Sequence, residues 1–229
     1  WLIPIPWLII SKGCEIIRNM SKLYVVGTGP GSREYLTLKA IGTVKSVDVI
    51  VGSTRALELF PEAAGERIEL GARNVQEVLT QAIKEAASKD TAVLSTGDPG
   101  FSGTLKPILK LREDLGVEVE VEVVPGVSSV QMCSARLLIP WDDADIVTMH
   151  GKGNSEDVLK LLDNGRPTII LPNRGVGELA DFLMDLGVES ERRIEVCEKM
   201  SYPDERVVET SLGEVLDMEF GYMCVVIIY

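Results

Sequence analysis

Short apolar runs alternate with stretches of helical spacing along most of this chain. Residues 23–26, 47–51, 91–95, 117–124, 146–149 and 168–171 are rich in Val, Ile and Leu and read as strands. Between them, residues 34–45 place Leu36, Leu38, Ile41 and Val44 for one buried helical face, with Ser32 as N-cap. Residues 74–88 do the same with Val75, Val78, Leu79, Ala82 and Ile83. Further helices are expected at 105–115, 127–138, 155–162 and 176–186. Strand–helix alternation predicts an α/β fold with a mostly parallel sheet under covering helices. Near the end the pattern changes. Residues 193–198, 206–210 and 224–229 are all strand-like with few helical residues between them. That predicts a second lobe whose sheet is mixed. Pro125-Gly126 punctuates the middle, so the lobes are expected at 20–125 and 126–229.

The opening residues do not join this pattern. Residues 1–10 are apolar but carry Pro4 and Pro6, which forbid a continuous helix. They also lack the basic flank and small-residue cleavage site of a secretory signal. Residues 1–19 are therefore expected to be an extension outside the core fold, or a segment that docks on a neighbouring subunit. No apolar run reaches the ~20 residues that cross a bilayer, so no membrane partner is expected.

Composition narrows the chemistry. Among 229 residues, 45% are hydrophobic and 25% charged, which suits a globular chain with a substantial core. The net charge of −12 argues against a protein that coats nucleic acid. Residues 1–126 hold 14 basic and 16 acidic side chains, a net of −2; residues 127–229 hold 9 and 19, a net of −10. An anionic ligand meets less repulsion over the first half. The four cysteines, Cys14, Cys133, Cys197 and Cys224, form no CxxC pair, so zinc knuckles and thioredoxin-like sites are not suggested. Reduced, buried thiols in a cytoplasmic protein are expected. His150 is the only histidine, which excludes a His-rich metal site; no metal is expected.

Three glycine-rich turns carry the candidate chemistry. Gly27-Thr28-Gly29-Pro30-Gly31 follows a strand and precedes a helix, aiming backbone N–H groups at a ligand. A dinucleotide fingerprint fails on detail: its sixth position is Ser32, and Asp48 precedes the second strand instead of ending it. The glycines could also serve only a tight turn. The second turn, Ser95-Thr96-Gly97-Asp98-Pro99-Gly100-Phe101-Ser102-Gly103, lacks the GK[ST] ending of a P-loop. Asp98 there suits a ligand with hydroxyl, amine or cationic groups, or forms an Asx turn. The third, Val124-Pro125-Gly126-Val127-Ser128-Ser129, opens a helix with two hydroxyls and free amides.

In this order and spacing, the three turns resemble the tetrapyrrole (corrin/porphyrin) methylase family, over residues 21–229. Leu138-Ile139-Pro140-Trp141-Asp142-Asp143, His150-Gly151-Lys152 and the run from Glu198 to Arg206 resemble the branch that methylates C5 of precorrin macrocycles in cobalamin biosynthesis, in its stand-alone form. The resemblance implies a two-lobed fold, a homodimer and S-adenosyl-L-methionine as methyl donor, with S-adenosyl-L-homocysteine as product. By motif it implies donor contacts from Pro30, Thr96, Gly97, Asp98, Phe101, Ser128 and Ser129. Leu171 and Pro172 are added because they follow a strand where the family places a donor-contacting loop. A polycarboxylate tetrapyrrole substrate would be held by basic residues in or beside the motifs: Arg55, Lys106, Arg136, Lys152 and Arg206. No nucleic acid is expected as partner. Relatives with other targets remain open: uroporphyrinogen methylation, diphthine synthesis or ribosomal RNA methylation. So does a nucleotide-binding module without catalysis.

Overall fold

The computed structural model describes residues 21–149, 155–173 and 175–229. The proposed extension at 1–19, His150 and Lys152 lie outside the described residues. Among the described residues no helix is long and apolar enough to cross a membrane.

The fold is α/β, with one parallel and one mixed five-stranded sheet. The first sheet contains β1 (Lys22–Gly27), β2 (Val49–Gly52), β3 (Glu66–Glu69), β4 (Thr91–Ser95) and β5 (Glu120–Val124), in the order β3-β2-β4-β1-β5. Every pairing in it is parallel. The helices that make this possible are α1 (Leu38–Ser46), α2 (Thr54–Glu58), α3 (Val75–Glu85) and α4 (Leu105–Leu115). They cover both faces. Val26, Ala40, Val44 and Ile50 pack in one cluster, and Leu23, Val25, Leu79 and Ile83 in another. Parallel strands need such two-sided cover, which is why their runs are continuously apolar.

The second sheet follows α5 (Ser129–Arg136). It contains β6 (Asp145–Thr148), β7 (Thr168–Leu171), β8 (Arg193–Glu198), β9 (Arg206–Ser211) and β10 (Cys224–Ile228), in the order β6-β7-β10-β8-β9. α6 (Ser155–Leu162) and α7 (Val176–Asp185) complete it. β6 and β7 are parallel, whereas β10 runs antiparallel to both β7 and β8. The last strand therefore sits at the centre of the sheet.

Two departures from the sequence reading have local causes. The helix expected at 34–45 is split. A 3-10 turn at Arg33–Tyr35 ends, and α1 restarts with the Thr37 hydroxyl accepting from the Ala40 N–H at 3.0 Å. Leu38, expected on a buried face, is 88% exposed. α2 and β3 were not expected. α2 is a single short helix capped by Ser53, and β3 is the charged edge strand Glu-Arg-Ile-Glu, whose mostly exposed residues leave no apolar signal.

Candidate active site

The C-terminal ends of β1, β4 and β5 converge, and three glycines let their loops touch. The Thr28 N–H donates to the Ser95 carbonyl at 2.9 Å, and the Gly97 N–H donates to the Gly29 carbonyl at 2.8 Å. A Cβ on Gly126 would lie 2.4 Å from the Gly97 carbonyl oxygen; one on Gly27 would lie 2.5 Å from the Gly126 nitrogen. No side chain fits there, and Gly97 also adopts a φ of +71°.

Asp98 ties this junction together. Its Oδ1 accepts from the Gly100 N–H at 2.8 Å, the Asx turn that was one of its two sequence readings. Its Oδ2 accepts from the Gly126 N–H at 3.1 Å. Ser128 then caps α5: its hydroxyl accepts from the Val130 N–H and its own N–H donates to Gln131 Oε1.

Above these loops lies a cavity of about 190 Å³. Its first wall carries Pro30, Thr96, Gly97, Phe101, Ser128 and Ser129. Its second comes from the other sheet: Leu171 and Pro172 after β7, Lys199 and Met200 after β8, and residues 222–225 entering β10. A second cavity, of about 300 Å³ and mainly apolar, shares Phe101 and Ser128 with the first. Asp98 faces this second space, together with Trp141 and Ile146.

The comparisons with known proteins fit this site. The family model for tetrapyrrole (corrin/porphyrin) methylases matches residues 22–216. The chain belongs to this family.

Relatives sharpen the comparison. The chain is 42% identical over 206 residues to a probable cobalt-precorrin-7 C(5)-methyltransferase of Methanocaldococcus jannaschii, covering 89% of this chain and 95% of that protein. It is 31% identical over 187 residues to the cobalt-precorrin-7 C(5)-methyltransferase of Salmonella typhimurium, covering 81% and 88%. Among solved structures, it is similar to a uroporphyrin-III C-methyltransferase from Thermus thermophilus complexed with S-adenosylhomocysteine. That match has a TM-score of 0.70 at 26% identity and covers 90% of this chain and 91% of that one.

In this methylase the residues expected by motif separate. Eight of the nine proposed donor contacts line the first cavity, and Asp98 lies in the second. The basic residues separate further. Arg136 pairs with Glu205, and Arg206 pairs with the buried Glu198 while stacking on Phe220 at 4.5 Å. Lys106 is exposed on α4. Arg55, also exposed, reaches the 222–223 segment.

The loop from Lys199 to Glu205 was noted in the sequence but given no site role. It bridges the two sheets. The Ser32 N–H donates to Ser201 Oγ at 3.0 Å, and the Tyr202 ring packs where a Cβ on Gly31 would sit, 2.1 Å away. Its carboxylates are braces. The Arg136 hydrogen bond holds the Glu205 carboxyl below the usual range, and the Ser201 N–H donates to it at 2.6 Å. Burial alone would raise Glu198, but the Gly221 N–H and Arg206 outweigh it and hold that carboxyl down. Lys199 and Ser201 both have positive φ, as does Ser102 across the cavity. Left-handed backbone at non-glycine residues costs roughly 1–2 kcal/mol each, and such strain clusters at functional sites.

The cysteines depart from expectation. Cys133 and Cys197, expected as thiols, form a disulfide with Cα atoms 5.9 Å apart. Both are fully buried. The bond joins α5, one turn beyond Ser129, to β8, two residues before Lys199, and so staples two walls of the first cavity. Cys224 is free, and burial pushes its thiol up to about 12.

Proposed function

We propose that this chain transfers a methyl group from S-adenosyl-L-methionine to C5 of cobalt-precorrin-7 in cobalamin biosynthesis. One observation carries the geometry: two cavities meet at a shared wall of Phe101 and Ser128, the second larger and more apolar than the first. The choice of C5 rests on the relatives at 42% and 31% identity, both named for that position.

The donor fits the first cavity on physical grounds. Its lining includes Pro30, Thr96 and Gly97, on loops whose backbones meet so closely that no Cβ fits at Gly27 or Gly126. Pro30, Thr96, Gly97, Phe101, Ser128, Ser129, Leu171 and Pro172 would hold it. When bound, S-adenosylmethionine supplies a methyl group on a sulfonium, already activated for transfer to a nucleophilic carbon. The residues therefore act by position. Asp98 holds the second and third loops in register, and Ser128 fixes the start of α5. Orientation of this kind can supply roughly 7–11 kcal/mol of barrier reduction in favourable cases. Pro172, Met200 and Cys224, all buried, keep water from the far wall.

The macrocycle would lie against the apolar second cavity, with its carboxylate arms outward. Among the candidates proposed for those arms, Arg136 and Arg206 are held by Glu205 and Glu198, which leaves Arg55 and Lys106 as the described ones without such a pair. We read residues 20–125 and 126–229 as the two lobes. We also read the protein as a cytoplasmic homodimer.

The test is turnover of purified cobalt-precorrin-7 with isotopically labelled S-adenosylmethionine, read by mass and by the ring position of the new methyl. Transfer to C5 is expected. Label at another carbon would reject the assigned branch, and S-adenosylhomocysteine binding without any transfer would reject this substrate.

A further inference from the structure

We infer that Arg55 couples the substrate's carboxylate to the shape of the methyl-donor cavity, an inference that rests on the polycarboxylate substrate proposed above. The other arginines near this cleft hold acids. Arg33 meets Glu62 at 2.9 Å, Arg136 meets Glu205 and Arg206 meets Glu198. Arg55 does not. Its Nη1 lies 2.9 Å from the Met223 sulfur, and its guanidinium sits 5.5 Å from the centre of the Tyr222 ring. Among the described residues no carboxylate pairs with it.

A thioether is a weak acceptor, and an exposed ring face is a weak partner for a cation. A carboxylate accepting both arms of the guanidinium is stronger than either. Arg55 is thus an exposed cation, held against two lining residues of the first cavity by contacts that a carboxylate arm would displace.

The displaced partners are walls of the donor cavity. Tyr222 and Met223 both line it, and Tyr222 is 73% exposed at its mouth. The backbone of this segment is anchored independently. The Gly221 N–H donates to Glu198, and the Met223 carbonyl accepts from the Lys199 N–H at 2.9 Å. Arg55 therefore governs the side chains of Tyr222 and Met223 and leaves their backbone in place. It does so from α2, on the first sheet, while both partners lead into β10 of the second. A carboxylate that draws Arg55 away frees one wall of the donor cavity, so the two ligands must change each other's affinity by the same factor.

The experiment uses uroporphyrin, a stable tetrapyrrole with eight carboxylates, and S-adenosylhomocysteine. Each is titrated alone and in the presence of the other, in the wild-type, Arg55→Gln and Arg55→Lys proteins. In the wild type, saturating uroporphyrin should change the Kd for S-adenosylhomocysteine by roughly 5-fold or more. Arg55→Gln should weaken uroporphyrin about 10-fold and abolish the mutual effect. Arg55→Lys should recover part of the uroporphyrin affinity without the coupling, because an ammonium lacks the planar fork. Coupling that persists in Arg55→Gln overturns the inference. So does equal uroporphyrin affinity in the wild-type and Gln proteins, including binding by neither. The ring position methylated in the turnover experiment plays no part in this readout, so the two proposals fail separately.

Discussion

The two sheets reach the same cavity by different routes. In the first, all five strands run one way, and β1, β4 and β5 deliver their C-terminal ends together. In the second, β7 and β8 deliver C-terminal ends, but β10 runs against both and delivers its start. The difference in direction becomes a difference in material. The parallel sheet offers glycine turns whose backbones touch, where any added atom collides. The mixed sheet offers side chains: Met200, Tyr202, Tyr222 and Met223. Only the second half is cross-linked among the described residues, by Cys133–Cys197.

Removing that cross-link should give the largest effect. Cys133 and Cys197 are 64 residues apart, and in the chain-entropy model a loop of that length stabilises by roughly 4 kcal/mol. The double variant Cys133→Ala/Cys197→Ala should therefore melt roughly 8–16 °C lower. Thiol titration of the unfolded wild-type chain should gain two thiols after reduction. An unchanged thiol count would remove the staple from the comparison.

Crowding the parallel side comes next. Gly126→Ala places a methyl 2.4 Å from the Gly97 carbonyl oxygen, a backbone atom that has little room to retreat. A loss of about 3 kcal/mol is expected, with S-adenosylhomocysteine binding lost in calorimetry. Gly42→Ala is the control. Its Cβ would meet nothing within 4 Å, and in the middle of α1 alanine should stabilise by about 0.5–1 kcal/mol. If both alanines behave alike, glycine contact is not what holds this junction.

Asp98→Asn probes the same junction more gently. The amide can still accept from Gly100, but its NH₂ would face the Gly126 N–H, donor against donor. Hydrogen bonds to charged groups contribute about 1.5–3 kcal/mol. The Kd for S-adenosylhomocysteine should rise about 10-fold or more, with the circular dichroism spectrum unchanged. Unaltered affinity would mean that the third loop holds its place without Asp98.

The smallest effect concerns the bridge between the sheets. Arg136 depresses the folded pKa of Glu205. Its contribution is therefore fully present above the unfolded carboxylate value, near pH 4.3, and is lost as pH falls through the lower folded value. The wild type should lose stability between about pH 5 and pH 3 more steeply than Glu205→Gln. Parallel pH profiles would show that the Lys199–Glu205 loop is held by packing alone.

Most elements were legible in the sequence because their signals are local. Residues 91–95, 105–115, 155–162, 168–171 and 193–198 form the strands and helices that their apolar spacing predicted, and the glycine turns lie where the strands end. β3 was not legible, because an exposed edge strand of Glu-Arg-Ile-Glu carries no such period. Eight of the nine residues that the family resemblance assigned to the donor line one cavity, at or after the ends of β1, β4, β5 and β7.

What the chain by itself determined was thus the kind of each segment and the chemistry of its turns, both set by neighbours a few residues away. What only the tertiary structure decided was which distant segments meet. The Cys133–Cys197 bond, the pairing of Arg136 with Glu205 and the arrival of residues 222–225 at the cavity join segments far apart in the chain, and Arg206 meets Glu198 only across the β8–β9 pair. Strand order is chosen by the burial of whole faces against one another. No local period in the sequence records it.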